Sequence, residues 1–180
     1  MALKKDYLNY YQYLGVKEGE QVASVGAASG YVELIIASYV KNVKWMLQDI
    51  DTTCLNLRVF NQFKNHDEEL LQRNIESDFD FLIGTQNATN LPRMQYDRIL
   101  LVNVYHELTQ PEAIMKDLFG ALKPNGVVAI QERMATKRGQ KHRDCGHRKL
   151  FEMDFIQKMN EYGFRLEKKI IAEELSQLCY

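Results

Sequence analysis

Apolar residues along the chain recur with two periods. Short runs such as FDFLIG (residues 79–84) and DRILLVNV (residues 97–104) are almost continuously apolar, whereas intervening stretches return an apolar residue every three or four positions. The first pattern is that of a buried strand and the second that of an amphipathic helix. The spacing predicts strands at 22–25, 43–49, 79–84, 97–104, 126–132, 164–172 and 175–179. Helices are predicted over 30–41, 52–65, 111–122 and 151–162, and a further stripe of Tyr7, Leu8, Tyr11 and Leu14 marks an N-terminal helical segment within residues 1–20. Asp51 is placed to cap the second of the four. Pro111 suits the first turn of the third, and Lys123-Pro124-Asn125-Gly126 stops it. Strands that alternate with helices imply an α/β domain, doubly wound around a mostly parallel seven-stranded sheet with helices on both faces, over residues 1–180 as a single unit. Continuous apolar runs suit its central strands. Ligands of such sheets sit at the carboxyl ends of the strands.

One such end is VASVGAASGY, residues 22–31, where small residues separate a valine strand from a helix. Gly and Ala there allow an unusually close backbone approach, either by a ligand or by the next strand. The helix start adds free N–H groups and a positive dipole end, which favour an anionic group. A dinucleotide turn would need G-x-G-x-x-G, but Gly26, Ala28 and Gly30 form G-x-A-x-G and Tyr31 follows directly. NAD is therefore not expected.

The chain instead resembles the class I S-adenosylmethionine-dependent methyltransferases, whose first motif is an acidic residue, one further residue and G-x-G-x-G at the end of strand one. Gly26 and Gly30 match outer glycines of that motif, Ser24 stands at its acid and Ala28 at its central glycine. Further segments follow in the family's order: Asp49 ends the second strand, QNATNLP occupies residues 86–92, YDRILLVNVYHEL 96–108, LFGALKPNGVVAIQE 118–132, and GFRLEKKII is similar to the penultimate strand. The resemblance implies a Rossmann-like fold and S-adenosylmethionine as cofactor. It implies that Ser24, Gly26, Ala28, Gly30, Asp49, Asn87 and Asn103 surround that cofactor, with Asp49 on the ribose hydroxyls and Asn87 facing the adenine amino group. Tyr105 and His106 follow the fourth strand, where the family places substrate-facing groups, and a neutral imidazole there can accept a proton. Two alternatives keep the same fold: a binding protein that no longer methylates, because Ser24 brings no charge and Ala28 adds a methyl group, and an RNA methyltransferase.

Charge bears on the acceptor. The net charge of the 180 residues is -1, so no global field draws the protein to nucleic acid or an anionic membrane. Residues 133–150 are locally basic, with Arg138, Lys141, Arg143 and Arg148 and only Asp144 as an acid. A long loop of this kind after the fifth strand, without structure of its own, points to an anionic small-molecule acceptor or, in the alternative reading, RNA. His142, Cys145 and His147 match no standard zinc spacing, and no metal site is assigned. Three widely spaced cysteines argue against a disulfide framework. The N-terminus lacks a signal-peptide apolar region and no run approaches a membrane span. A soluble, cytoplasmic protein is expected.

Overall fold

The computed structural model of the protein describes residues 12–172 and 175–179. A 3-10 turn at Gln12–Leu14 leads into β1 (Gln21–Val25), α1 (Tyr31–Ala37), β2 (Lys44–Asp49), α2 (Leu57–Leu71), β3 (Asp78–Ile83), β4 (Tyr96–Val102), a 3-10 turn at Tyr105–Glu107, α3 (Pro111–Ala121), β5 (Leu122–Glu132), α4 (Glu152–Glu161), β6 (Lys168–Ala172) and β7 (Leu175–Cys179). Tyr7, Leu8 and Tyr11 of the expected N-terminal stripe lie outside the described residues.

The strands form one sheet in the order β3-β2-β1-β4-β5-β7-β6. Neighbours from β3 to β5 pair in parallel, and β7 runs antiparallel between β5 and β6. Strand order reverses between β1 and β4, which makes their carboxyl ends the natural ligand position. In β4, Ile99 and Leu101 face one apolar layer with Ile114, Met115, Leu118 and Phe155, while Leu100 faces the other with Leu34, Leu47 and Phe60. This is the two-residue period of a strand buried on both sides.

The structure corrects several element boundaries. α1 ends at Ala37, where Ser38 turns its hydroxyl back to the carbonyl of Ile35, 2.7 Å away. α2 starts at Leu57 and is capped by Asn56, whose Oδ1 accepts from the amides of Arg58 (2.9 Å) and Val59 (3.4 Å). Asp51 instead closes the preceding turn, accepting from the Thr53 amide at 2.7 Å. β5 begins at Leu122 opposite Tyr96, the ladder shifts register, and pairing resumes with Val127 opposite Arg98. Lys123–Gly126 therefore interrupts the strand's pairing rather than preceding the strand. Phe119 of α3 is largely exposed and meets Phe164 edge-on at 5.5 Å.

Candidate active site

A cavity of about 500 Å³ opens at the carboxyl ends of β1, β2, β3 and β4. Gly26 and Ala28 after β1, Asp49 at the end of β2 and Asn103 after β4, four of the seven residues expected around the cofactor, line it. The loop after β1 is held by its neighbour: the amides of Gly26 and Ala27 donate to the carbonyl of Gln48 at 2.9 and 3.0 Å. The amide of Ala28 donates to Oδ2 of Asp49 at 2.8 Å, and that of Asp51 to Oδ1 at 2.9 Å. A carboxylate has about four lone-pair sites, so Asp49 keeps acceptor capacity for a ligand after positioning this loop.

Three other expected cofactor residues lie away from the cavity wall. Ser24 is buried in β1, and its hydroxyl donates to Oε1 of Glu33 at 2.5 Å. Burial pushes the Glu33 carboxyl up to about 7, because a charged form loses its hydration in the core. Gly30 has φ +73°, and a Cβ there would lie 2.7 Å from Leu47 and 2.8 Å from Phe60. Its close approach is thus to the core. Asn87 is exposed in the turn after β3, where its Oδ1 accepts from the Thr85 hydroxyl at 2.8 Å. Thr85, Gln86 and Thr89 of that segment face the cavity.

Neither Tyr105 nor His106 is among the residues lining the cavity; Glu107, Leu108 and Thr109 of the same turn are. Tyr105 packs edge-to-face on Phe155, with ring centroids 4.7 Å apart. The His106 ring is turned inward, with Nδ1 2.9 Å from Oε2 of fully buried Glu132. The hydrogen bond to that carboxylate raises the His106 pKa above its ordinary value.

Residues 133–150 have structure of their own, contrary to the expected plain loop. Lys141 bridges Arg148 in antiparallel fashion, and amides of His142 and Lys149 donate to carbonyls of His147 (2.8 Å) and Gln140 (2.8 Å). The hairpin tip packs on the turn after β4, where His147 Nδ1 lies 3.1 Å from the His106 carbonyl. Arg138 is paired with Asp154 of α4 and stacks 4.5 Å above the Phe151 ring. Lys141, Arg143 and Arg148 are exposed, and none of the four basic residues is among those lining the cavity.

A family model described as a methyltransferase domain matches residues 3–169. The chain belongs to this methyltransferase family. No curated protein matches it in sequence. The fold is similar to a SAM-dependent methyltransferase from Aquifex aeolicus (18% identity, 97% of this chain and 88% of that one, TM-score 0.72). It is similar also to a SAM-dependent methyltransferase from Methanosarcina mazei (13% identity, 95% of each chain, TM-score 0.69) and to the pyocyanin biosynthetic protein PhzM (17% identity, 96% of this chain and 53% of that one, TM-score 0.69). The methyltransferase is thus of the class I, S-adenosylmethionine-dependent type, with that molecule as its cofactor.

The residues of the methyltransferase's cavity fit such a cofactor. Ile50, 52% exposed between Asp49 and Asp51, offers an apolar face to a purine. The size falls in the roughly 300–1,000 Å³ of small-ligand pockets. Ile50, Thr85, Gln86 and Thr89 were not singled out in the sequence. An isoleucine flanked by acids just after an apolar strand was the available signal for Ile50. No helix among the described residues is long and apolar enough to cross a membrane.

Proposed function

We propose that the protein methylates a small, negatively charged molecule held beside S-adenosylmethionine in the cavity above β1, β2 and β4. The observation that carries this reading is the convergence of Gly26, Ala28, Asp49 and Asn103 on one cavity of ligand size at the strand-order reversal. Bound there, the cofactor supplies a methyl group on a sulfonium, and an acceptor lone pair forms the new bond as the carbon–sulfur bond breaks. The chain's task is to position and to exclude water.

Asp49 would take the ribose hydroxyls on its remaining lone pairs, and Ile50 would offer apolar surface to the adenine. Gly26 and Ala28 let the backbone come close to the methionine part. Val102, Val104 and Ile114 line the cavity with apolar surface that keeps water from the reacting atoms. The exposed cations Lys141, Arg143 and Arg148 stand on the hairpin that packs against the turn after β4, and a positive field there draws in an anionic acceptor. The fold similarity to a pyocyanin biosynthetic protein agrees with a small acceptor. Because His106 is bonded to Glu132 and does not line the cavity, this reading assigns it and Tyr105 no proton transfer.

Isothermal titration calorimetry with S-adenosylhomocysteine tests the cofactor half. One equivalent should bind, and Asp49→Ala should weaken it at least about tenfold, since each hydrogen bond to a charged group contributes about 1.5–3 kcal/mol. Absence of heat at millimolar ligand would overturn the site assignment. Neutralising Lys141, Arg143 and Arg148 together should leave this affinity within a factor of about three, as exposed charges contribute little each.

A further inference from the structure

His106, His142 and Cys145 come together where the basic hairpin meets the turn after β4. One ligand atom from each lies within 4.8 Å of the others. From these residues we propose a transition-metal site of zinc type, which clasps the 133–150 hairpin to the wall of the active site. The proposal does not depend on the cofactor reading, and its test reads metal rather than methyl transfer.

Each donor is prepared for such a role. His106 has Nδ1 committed to the buried Glu132 carboxylate at 2.9 Å, leaving Nε2, 3.6 Å from Glu107 Oε1, as the ligand atom. A carboxylate behind a histidine in this way fixes the ring and raises its basicity as a metal ligand. His142 is 7% exposed, and its Nε2 is buried with no hydrogen-bond partner. An orphaned buried nitrogen is costly, and a coordinated cation would remove that cost. Cys145 is exposed and carries a free thiol, which provides both a third donor and the entry path.

The donor set is chemically selective. Two neutral imidazoles and a thiolate form a borderline-soft nitrogen–sulfur set, suited to Zn²⁺ and unsuited to Mg²⁺ or Ca²⁺. His106 and His142 stack with centroids 3.9 Å apart and planes 15° from parallel, and two imidazolium ions would repel at that distance. Binding releases the Cys145 thiol proton to solvent as the sulfur–metal bond forms. A tetrahedral zinc places its donors roughly 3.3–3.8 Å apart, so donors now up to 4.8 Å apart close by up to about 1–1.5 Å, and the His142 ring turns out of its stack on His106 so that both lone pairs meet the ion. Three protein ligands leave one position to water. Glu107 Oε1, 3.6 Å from His106 Nε2, is the adjacent acid and lines the cavity. The spacing of His142, Cys145 and His147 hid this arrangement because the missing ligand, His106, comes from another part of the chain and His147 is not in the cluster.

Full-length protein freed of metal by chelation and then titrated with Co²⁺ tests the proposal. One equivalent should bind, with a thiolate-to-cobalt charge-transfer absorption and the intense visible bands of a tetrahedral ion, all abolished by added Zn²⁺. Cys145→Ser should retain its melting temperature in chelator, because the side chain is exposed, yet lose the charge-transfer band and bind Zn²⁺ at least about tenfold more weakly. His66→Ala and Cys54→Ser, at exposed positions outside the cluster, should behave as wild type. Zn²⁺ should slow tryptic cleavage within residues 133–150 several-fold in wild type and not in Cys145→Ser. Absence of the charge-transfer band in wild type, or its persistence in Cys145→Ser, would overturn the site, and cleavage indifferent to Zn²⁺ would overturn the clasp.

Discussion

Gly30 shows how a residue identified by its motif can be required for a different physical reason. The sequence VASVGAASGY identified a strand, a tight turn and a helix start, and β1 and α1 flank the turn as expected. It left open whether the small residues admit a ligand or the next strand, and the structure divides them. Ala28, exposed at φ +48°, lines the cavity, whereas Gly30 lies against Leu47 and Phe60. Periodicity cannot make that division, because it depends on which side of the turn another part of the chain occupies. Gly30→Ala adds a Cβ 2.7 Å from Leu47 at a left-handed φ. Strain of roughly 1–2 kcal/mol and overpacking of roughly 1–3 kcal/mol combine, and urea unfolding should show a loss of roughly 2–5 kcal/mol. Ala28→Gly works the other way. Relief of the left-handed strain of roughly 1–2 kcal/mol exceeds the roughly 0.4–1 kcal/mol lost to a freer unfolded chain, so a small gain in stability is expected in the same measurement.

Among the elements, the apolar periods located every strand and helix of residues 20–172, while ends set by side-chain hydrogen bonds were misplaced. Asp51 and Asn56 both precede α2 and both have the chemistry of a cap, so the sequence offered two starts for one helix. The outcome was decided by Asp51 folding back on Thr53 and Cys54: hydrogen bonding, foremost from the Thr53 hydroxyl, lowers its carboxyl to about 2. Asn56→Ala should therefore cost about 1 kcal/mol in urea unfolding. Asp51→Ala should leave the helical circular dichroism of α2 intact. A loss in the second variant equal to that in the first would restore Asp51 as the cap. The hairpin at 140–149 escaped the sequence reading for a related reason. Its Lys141–Arg148 pairing carries no alternating apolar pattern, and it is held by backbone hydrogen bonds and by contacts with a distant turn.

For the whole molecule, the sheet was legible because the central segments Val22–Val25, Ile99–Leu101 and Val128–Ile130 are buried on both faces and, Ser24 apart, are apolar. The place of β7 between β5 and β6 was not, since an antiparallel return is fixed by pairing and not by composition. The same double burial gives the fold a pH dependence that net charge conceals. Glu33 lies within the apolar layer beneath α1, 1% exposed, with one carboxyl oxygen accepting from Ser24 and the other unpartnered. Burial raises its pKa from 4.5 to about 7, so between these values the native state keeps a proton that the unfolded chain has released. Native protein then binds more protons than unfolded protein, and stability falls as pH rises. The contribution of Glu33 is fully present below about pH 4.5 and is lost as pH passes about 7. Glu33→Gln, neutral at every pH, removes this dependence while leaving that of all other groups in place. The stability of wild type relative to Glu33→Gln, from urea unfolding at several pH values, should fall by roughly 3 kcal/mol between pH 4.5 and 8, and a pH-independent difference would show that Glu33 titrates normally and that water reaches it in the native state.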